Sequence, residues 1–135
     1  MTKYSAFGVA LKRGAVEIAQ VLTISGPNIS IDTADVTEHD GEGWEEVVVT
    51  ILRSGEVSFE IAYDPGEATH KNASGGLLYD LVNRQSQTWT ITLPSSPTAD
   101  ISFTGYVISF EPSMPVEDKL SASVTIKPTG VVTLP

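Results

Sequence analysis

The sequence predicts a mainly β fold, an antiparallel β-sandwich or partly open barrel with one flanking α-helix. Three observations lead there. Strict alternation of apolar and polar residues, which gives a strand one buried face, recurs at Val57 to Tyr63, Thr88 to Leu93 and Lys119 to Lys127. Turn-forming clusters separate such runs, at Ser25-Gly26-Pro27-Asn28, Asp64-Pro65-Gly66, Pro94-Ser95-Ser96-Pro97 and Pro112-Ser113-Met114-Pro115. One stretch alone shifts to a helical period, with Leu77, Leu78, Leu81 and Val82 on one side and Asp80, Asn83 and Arg84 on the other. With 135 residues, no internal repeat and no interdomain linker, residues 1–135 read as a single domain, long enough to bury a core without staples.

Taken in order, Tyr4 to Lys12 is apolar enough for a first strand, which Gly14 ends. Glu17 to Ile24 reads as a strand covered on both sides, with Ile18, Leu22 and Ile24 on one face and Ala19, Val21 and Thr23 on the other. After the turn at Gly26-Pro27 an extended segment resumes at Ile29. Asp32, Asp35, Glu38, Asp40, Glu42, Glu45 and Glu46 then form an acidic run free of lysine and arginine. Like charges at that density resist packing, so a long solvated loop is expected in the isolated subunit. Val47 to Leu52 is a dense β-branched run, broken at Arg53-Ser54-Gly55 before the strand from Val57.

Two helix starts are open: Asp64 as cap with Pro65 in the first turn, or Ser74 as cap after an irregular loop. Gly75 and Gly76 weaken a continuous helix and favour the second. So short a helix must plug against a sheet. Trp89, Ile91 and Leu93 alternate with threonines in the next strand. In Asp100 to Phe110 the apolar parity changes, which points to a bulge at Gly105. The last strand carries Leu120, Ala122, Val124 and Ile126 inward and ends at Pro128-Thr129-Gly130. Beyond it residues 129–135 form an apolar C-terminal arm, whose Val131, Val132 and Leu134 need a core edge or a neighbouring subunit to cover them.

Chemistry finds little to stand on. There is no phosphate loop, metal-ligand cluster or nucleophile motif, so the reading is a protein that is not an enzyme, with no cofactor and no metal. The acidic run fails as a calcium loop, because Val36 and Val47 fall at its first and last ligand positions. His39 beside Asp40 has no serine or second histidine near it, His70 lying in a different loop. There is no cysteine, which removes thiolate and disulfide chemistry. The N-terminal apolar run is too short for a signal or a membrane span, which gives a protein made in the cytoplasm with no membrane partner. A net charge of −9 argues against gripping nucleic acid through its phosphates but permits nucleic acid to pass. Trp44, an aromatic within a charged loop, is a candidate anchor at an interface, and folding back on its own core is its equal alternative.

A resemblance goes further. The run G-E-V-S-F-E-I-A-Y-D-P-G-E from Gly55, then L-L-Y-D-L-V-N, W-T-I-T-L-P, D-I-S-F-T-G-Y-V-I-S-F and K-L-S-A-S-V-T-I-K-P-T-G, resembles the major tail tube protein of lambda-type long-tailed bacteriophages over nearly the whole chain. The resemblance implies a virion structural protein, produced in the host bacterial cytoplasm. It further implies hexameric rings that stack into a hollow tail tube through which phage DNA is delivered without specific binding. It implies self-association, with tail tip or baseplate, tape measure and tail terminator proteins as partners. Residues 32–52 become a long acidic assembly loop, and Trp44, Val47, Val48, Val49, Ile51, Leu52, Val131, Val132 and Leu134 become candidate inter-subunit contacts. Alternatives are another ring protein of the same fold group, a tail terminator or type VI secretion tube, or a ligand-binding β-module stacking its ligand on Trp44, Trp89 and Tyr79.

Overall fold

A computed structural model describes residues 9–37, 43–94 and 99–135. The fold is mainly β with one short helix, as the alternation predicts, and its sheet curls into a half-barrel. The strands are β1 (Ala10–Arg13), β2 (Val16–Glu17), β3 (Val21–Ser25), β4 (Ser30–Asp35), β5 (Val47–Arg53), β6 (Val57–Ala62), β7 (Ser86–Leu93), β8 (Ala99–Ser113) and β9 (Ser121–Thr133), with α1 (Leu77–Val82) between β6 and β7. Seven of them make one sheet in the order β2-β1-β7-β8-β9-β6-β3, with every pairing antiparallel. β4 and β5 form a separate two-stranded sheet.

The core lies inside the curl. Val57, Phe59 and Ile61 of β6, Trp89 and Ile91 of β7, Phe103 and Val107 of β8, and Ala122, Val124 and Ile126 of β9 are all buried, as period-two alternation requires. Trp89 also satisfies its polar atom, donating from Nε1 to the Gly105 carbonyl at 3.1 Å. Gly105 is close-packed rather than bulged. A Cβ there would sit 2.7 Å from the Lys127 carbonyl oxygen, so nothing larger fits. The parity change in β8 comes three residues later, where Ile108 is the extra residue between the Val107–Ile126 and Ser109–Thr125 pairs, and Tyr106 and Ile108 face outward.

Other expectations are corrected in detail. Glu17 to Ile24 is not one doubly covered strand. Gln20 takes a positive φ and divides it into β2 and β3, the two edges of the sheet, and Leu22 is exposed. The two edges therefore lie only three residues apart in sequence, and Ile18 to Gln20 spans the seam between them. Gln20 accepts from the Ala62 amide at 2.9 Å and the Ile18 amide donates to Leu11 at 2.9 Å, which ties both sides of the seam together. The last strand does not stop at Pro128: β9 runs on to Thr133, pairing with Ser102 after a register shift between Thr129 and Thr133. The acidic stretch is extended backbone as far as Asp35 rather than a loop from Asp32, while Glu38, His39, Asp40 and Glu42 lie outside the described residues, as does Tyr4 in the first strand.

The helix begins with Gly76 as N-cap and no side-chain cap, so neither Asp64 nor Ser74 starts it. Asp64 instead closes its own turn, accepting the Gly66 amide at 2.9 Å. Gly76 is required by crowding, because a Cβ there would lie 1.8 Å from the Lys71 carbonyl oxygen. Gly76→Ala is expected to cost about 1–3 kcal/mol in urea denaturation as overpacking against backbone that cannot yield. A gain in stability, the ordinary result of Gly→Ala in a helix, would show that the 64–76 loop can move away. Leu77 is fully buried, Leu78 and Leu81 are half-buried and Val82 is exposed, so the docked stripe is narrower than the sequence suggests.

Asp80, read as a solvent-facing position, is buried against Arg13 of β1, whose Nη2 donates to Oδ1 at 2.8 Å while Nε donates to Oδ2. The bond to Asp80 raises the Arg13 pKa above its ordinary value, outweighing burial, which lowers it. His70 is likewise fully buried. Its Nε2 donates to the Ala19 carbonyl at 2.7 Å and its Nδ1 accepts the Asp64 amide at 3.2 Å, so the imidazole bridges the seam and the loop before the helix. Thr69 adds a second tie, its hydroxyl oxygen accepting the Ala19 amide at 3.2 Å.

Candidate assembly interface

The β4–β5 hairpin stands apart as an arm. Ser30 pairs with Arg53 at its foot and Asp35 with Val47 toward its tip, with a register shift between Ile31 and Thr33. Directly opposed residues of an antiparallel pair share a face, so Ile31 with Leu52 and Thr33 with Val49 line one side, and Ala34 with Val48 the other. Every residue of β5 is exposed. A two-stranded ribbon with apolar residues on both faces is marginal alone in water and needs a covering surface.

The tip is held by local polar bonds. Asp35 accepts from both the hydroxyl and the amide of Thr37, and Val36 donates to the Glu46 carbonyl at 3.0 Å. Hydrogen bonding by the Thr37 hydroxyl, then by its amide, lowers the Asp35 pKa below the usual carboxylate value. That contribution is present above the ordinary value and is lost as pH falls through the depressed one. At the foot, Arg53 Nε meets Asp32 Oδ2 at 2.7 Å, an exposed pair of small energetic weight.

The sequence candidates fall into two groups. Trp44, 77% exposed, lies at the tip with Val47, Val48, Val49 and Ile51 on the exposed ribbon below it. Leu52 lies at the foot, where it meets Val131, Val132 and Leu134 in one apolar cleft of about 490 Å³ that Ile29, Arg53, Ser54 and Gly130 complete. Val132 packs on the core while Val131 and Leu134 stay exposed. Of the acids, Asp32 and Asp35 sit on β4, Glu45 and Glu46 at the tip, and Glu38, Asp40 and Glu42 lie outside the described residues. The stacking platform is not formed: Trp89 is sealed in the core, away from exposed Trp44, and Tyr79 is half-buried on α1. The Arg13–Asp80 pair and the His70 bridge had no sequence signal, because their partners lie 67 and 51 positions away.

No curated protein sequence matches the chain significantly. Among solved structures the fold is similar to a chain of an extracellular contractile injection system, the PVC sheath/tube terminator in extended state, with TM-score 0.76 and 18% identity over 100% of this chain and 98% of that one. It is also similar to a chain from the tail of an empty gene transfer agent particle refined with C6 symmetry, with TM-score 0.70 and 13% identity over 94% and 93%. The SPP1 tail tube is a third, with TM-score 0.62 and 10% identity over 94% of this chain and 76% of that one. At these identities the likeness is one of fold. The family model described as lambda phage tail tube protein, TTP, matches residues 4–135, and the chain belongs to that family.

Proposed function

We propose that this chain is the repeating subunit of the hollow tail tube, six copies closing each ring and rings stacking so that DNA passes down the bore. As a member of a structural tail family it is part of the virion particle and not an enzyme. The observation that carries the reading is the β4–β5 arm, apolar on both faces and exposed along all of β5, a surface that packing against neighbouring copies would cover. The proposed contacts are Trp44, Val47, Val48, Val49, Ile51 and Leu52 of the arm with Val131, Val132 and Leu134 of the C-terminal segment. The C6 symmetry of the similar gene transfer agent tail supports six copies per ring. The proposed unit is a tail-tube domain spanning residues 1–135, with tail tip or baseplate, tape measure and terminator proteins as its partners. With a net charge of −9 per chain, an acidic or neutral bore would give phosphate nothing to adhere to, so DNA would slide through without specific binding.

Negative-stain microscopy of concentrated purified protein should show rings and tubes. Assembly should rise with salt from low ionic strength, because acids on the arm repel one another within a screening length of about 10 Å at 0.1 M. Light scattering that falls as salt rises would mean that attraction between opposite charges on neighbouring copies, not repulsion among the arm's acids, dominates assembly. A second reading, a tail terminator, is favoured by the similarity to the PVC terminator over the full chain. It predicts single rings that never elongate.

A further inference from the structure

The cleft at the foot of the arm has aliphatic walls, Ile29, Leu52, Val131 and Leu134, and one cation on its rim, Arg53. The Arg53 side chain is 59% exposed, and among the described residues its hydrogen bond is from Nε to Asp32, so much of the guanidinium is accessible. An apolar slot edged by a planar cation is chemistry that receives an indole: the walls bury the ring and the guanidinium stacks on its face. The opposite end of the arm carries such a group, Trp44, followed by Glu45 and Glu46, whose charge complements the rim.

One chain cannot fill its own cleft with its own tip. β5 lies between the two as a paired ladder of seven residues, which at about 3.3 Å per residue holds Trp44 some 20 Å or more from Arg53. We propose that Trp44 of one copy seats in the arm-foot cleft of a second copy. The proposal rests on the tube reading and deepens it. A knob at one end of the arm and a hole at the other make a heterologous contact, the kind that propagates from copy to copy instead of closing between two.

The absence of native cysteine allows a clean test. Glu45→Cys, beside the knob, and Thr129→Cys, next to Gly130 at the edge of the hole and not part of its lining, are prepared as separate full-length variants at exposed positions and mixed under assembly conditions with a short bis-maleimide. The mixture should give a cross-linked dimer several-fold more abundant than either variant alone. Adding Trp44→Ala to the Glu45→Cys chain should suppress it several-fold, whereas Trp44→Phe should largely keep it, with unchanged circular dichroism throughout. Dominant cross-linking within the Glu45→Cys sample alone, or a mixed dimer indifferent to Trp44→Ala, overturns the seating. Microscopy of the same samples separates the two claims: tubes without the mixed dimer sink the seating and spare the tube, the mixed dimer without rings or tubes does the reverse, and neither product sinks both.

Discussion

Replacing Arg13 with methionine should lower folding stability by about 3–5 kcal/mol, because it strands a buried carboxylate. Asp80 is 1% exposed, and among the described residues its close partners are the two guanidinium nitrogens of Arg13, with Gln87 Nε2 at the limit of bonding distance, 3.5 Å. The pair crosses from α1 to β1, so its loss also loosens the helix from the sheet it covers. The Arg13 pKa is raised by its bond to Asp80, so the guanidinium's share of the stability is present below the ordinary arginine value and lost only as pH climbs through the raised one. Urea denaturation of Arg13→Met and of the double replacement Arg13→Met/Asp80→Leu separates charge from packing. The double variant should recover most of the loss, since apolar pairs of similar volume often replace buried ion pairs without penalty. A single variant within about 0.5 kcal/mol of the parent, the range of ordinary surface substitutions, would mean that water reaches Asp80.

Trp89→Ala is expected to cost about 3–5 kcal/mol for the lost ring and the cavity it leaves. A further share comes from the Gly105 carbonyl, which loses its 3.1 Å donor inside the sheet. In thermal unfolding this amounts to a fall of about 10 °C or more for a chain of this size. Trp89→Phe keeps much of the volume and not the donor, so its loss isolates the hydrogen bond at about 1–3 kcal/mol. Equal losses for the two variants would assign the whole effect to the N–H; a silent Trp89→Phe would assign it to volume.

Period-two alternation located β6, β7 and the first half of β9 because each of these strands has one face against the core, and burial follows residue parity there. It failed where that condition fails. β4 and β5 have no buried face, so their pattern of acids and β-branched residues carries no inward-facing set. In β9 the proline and glycine at 128 and 130 read as a terminus, yet Pro128 is a buried position in the ladder and the strand resumes after the register shift. Asp80 and His70 look solvated by type, and only long-range partners explain their burial. The apolar members of the candidate interface were visible as residues without a local reason to be apolar. That Leu52 and the 131–134 segment would line one cleft depends on β9 reaching the foot of the arm, which no local signal records.

β3 and β6 are direct neighbours in the sheet, and Ser25 pairs with Ser58 just where the chain departs for the arm and returns from it. The entire arm is therefore an insertion at the end of a hairpin, entering and leaving the barrel at one point. Changing the length of such an excursion carries a small chain-entropy penalty, about 0.6 kcal/mol per doubling. The exposed arm is consequently free to lengthen, shorten or exchange its sequence while the half-barrel keeps its registers. If the arm makes the contacts proposed above, the choice of which copies to accept can change without the folding problem having to be solved again.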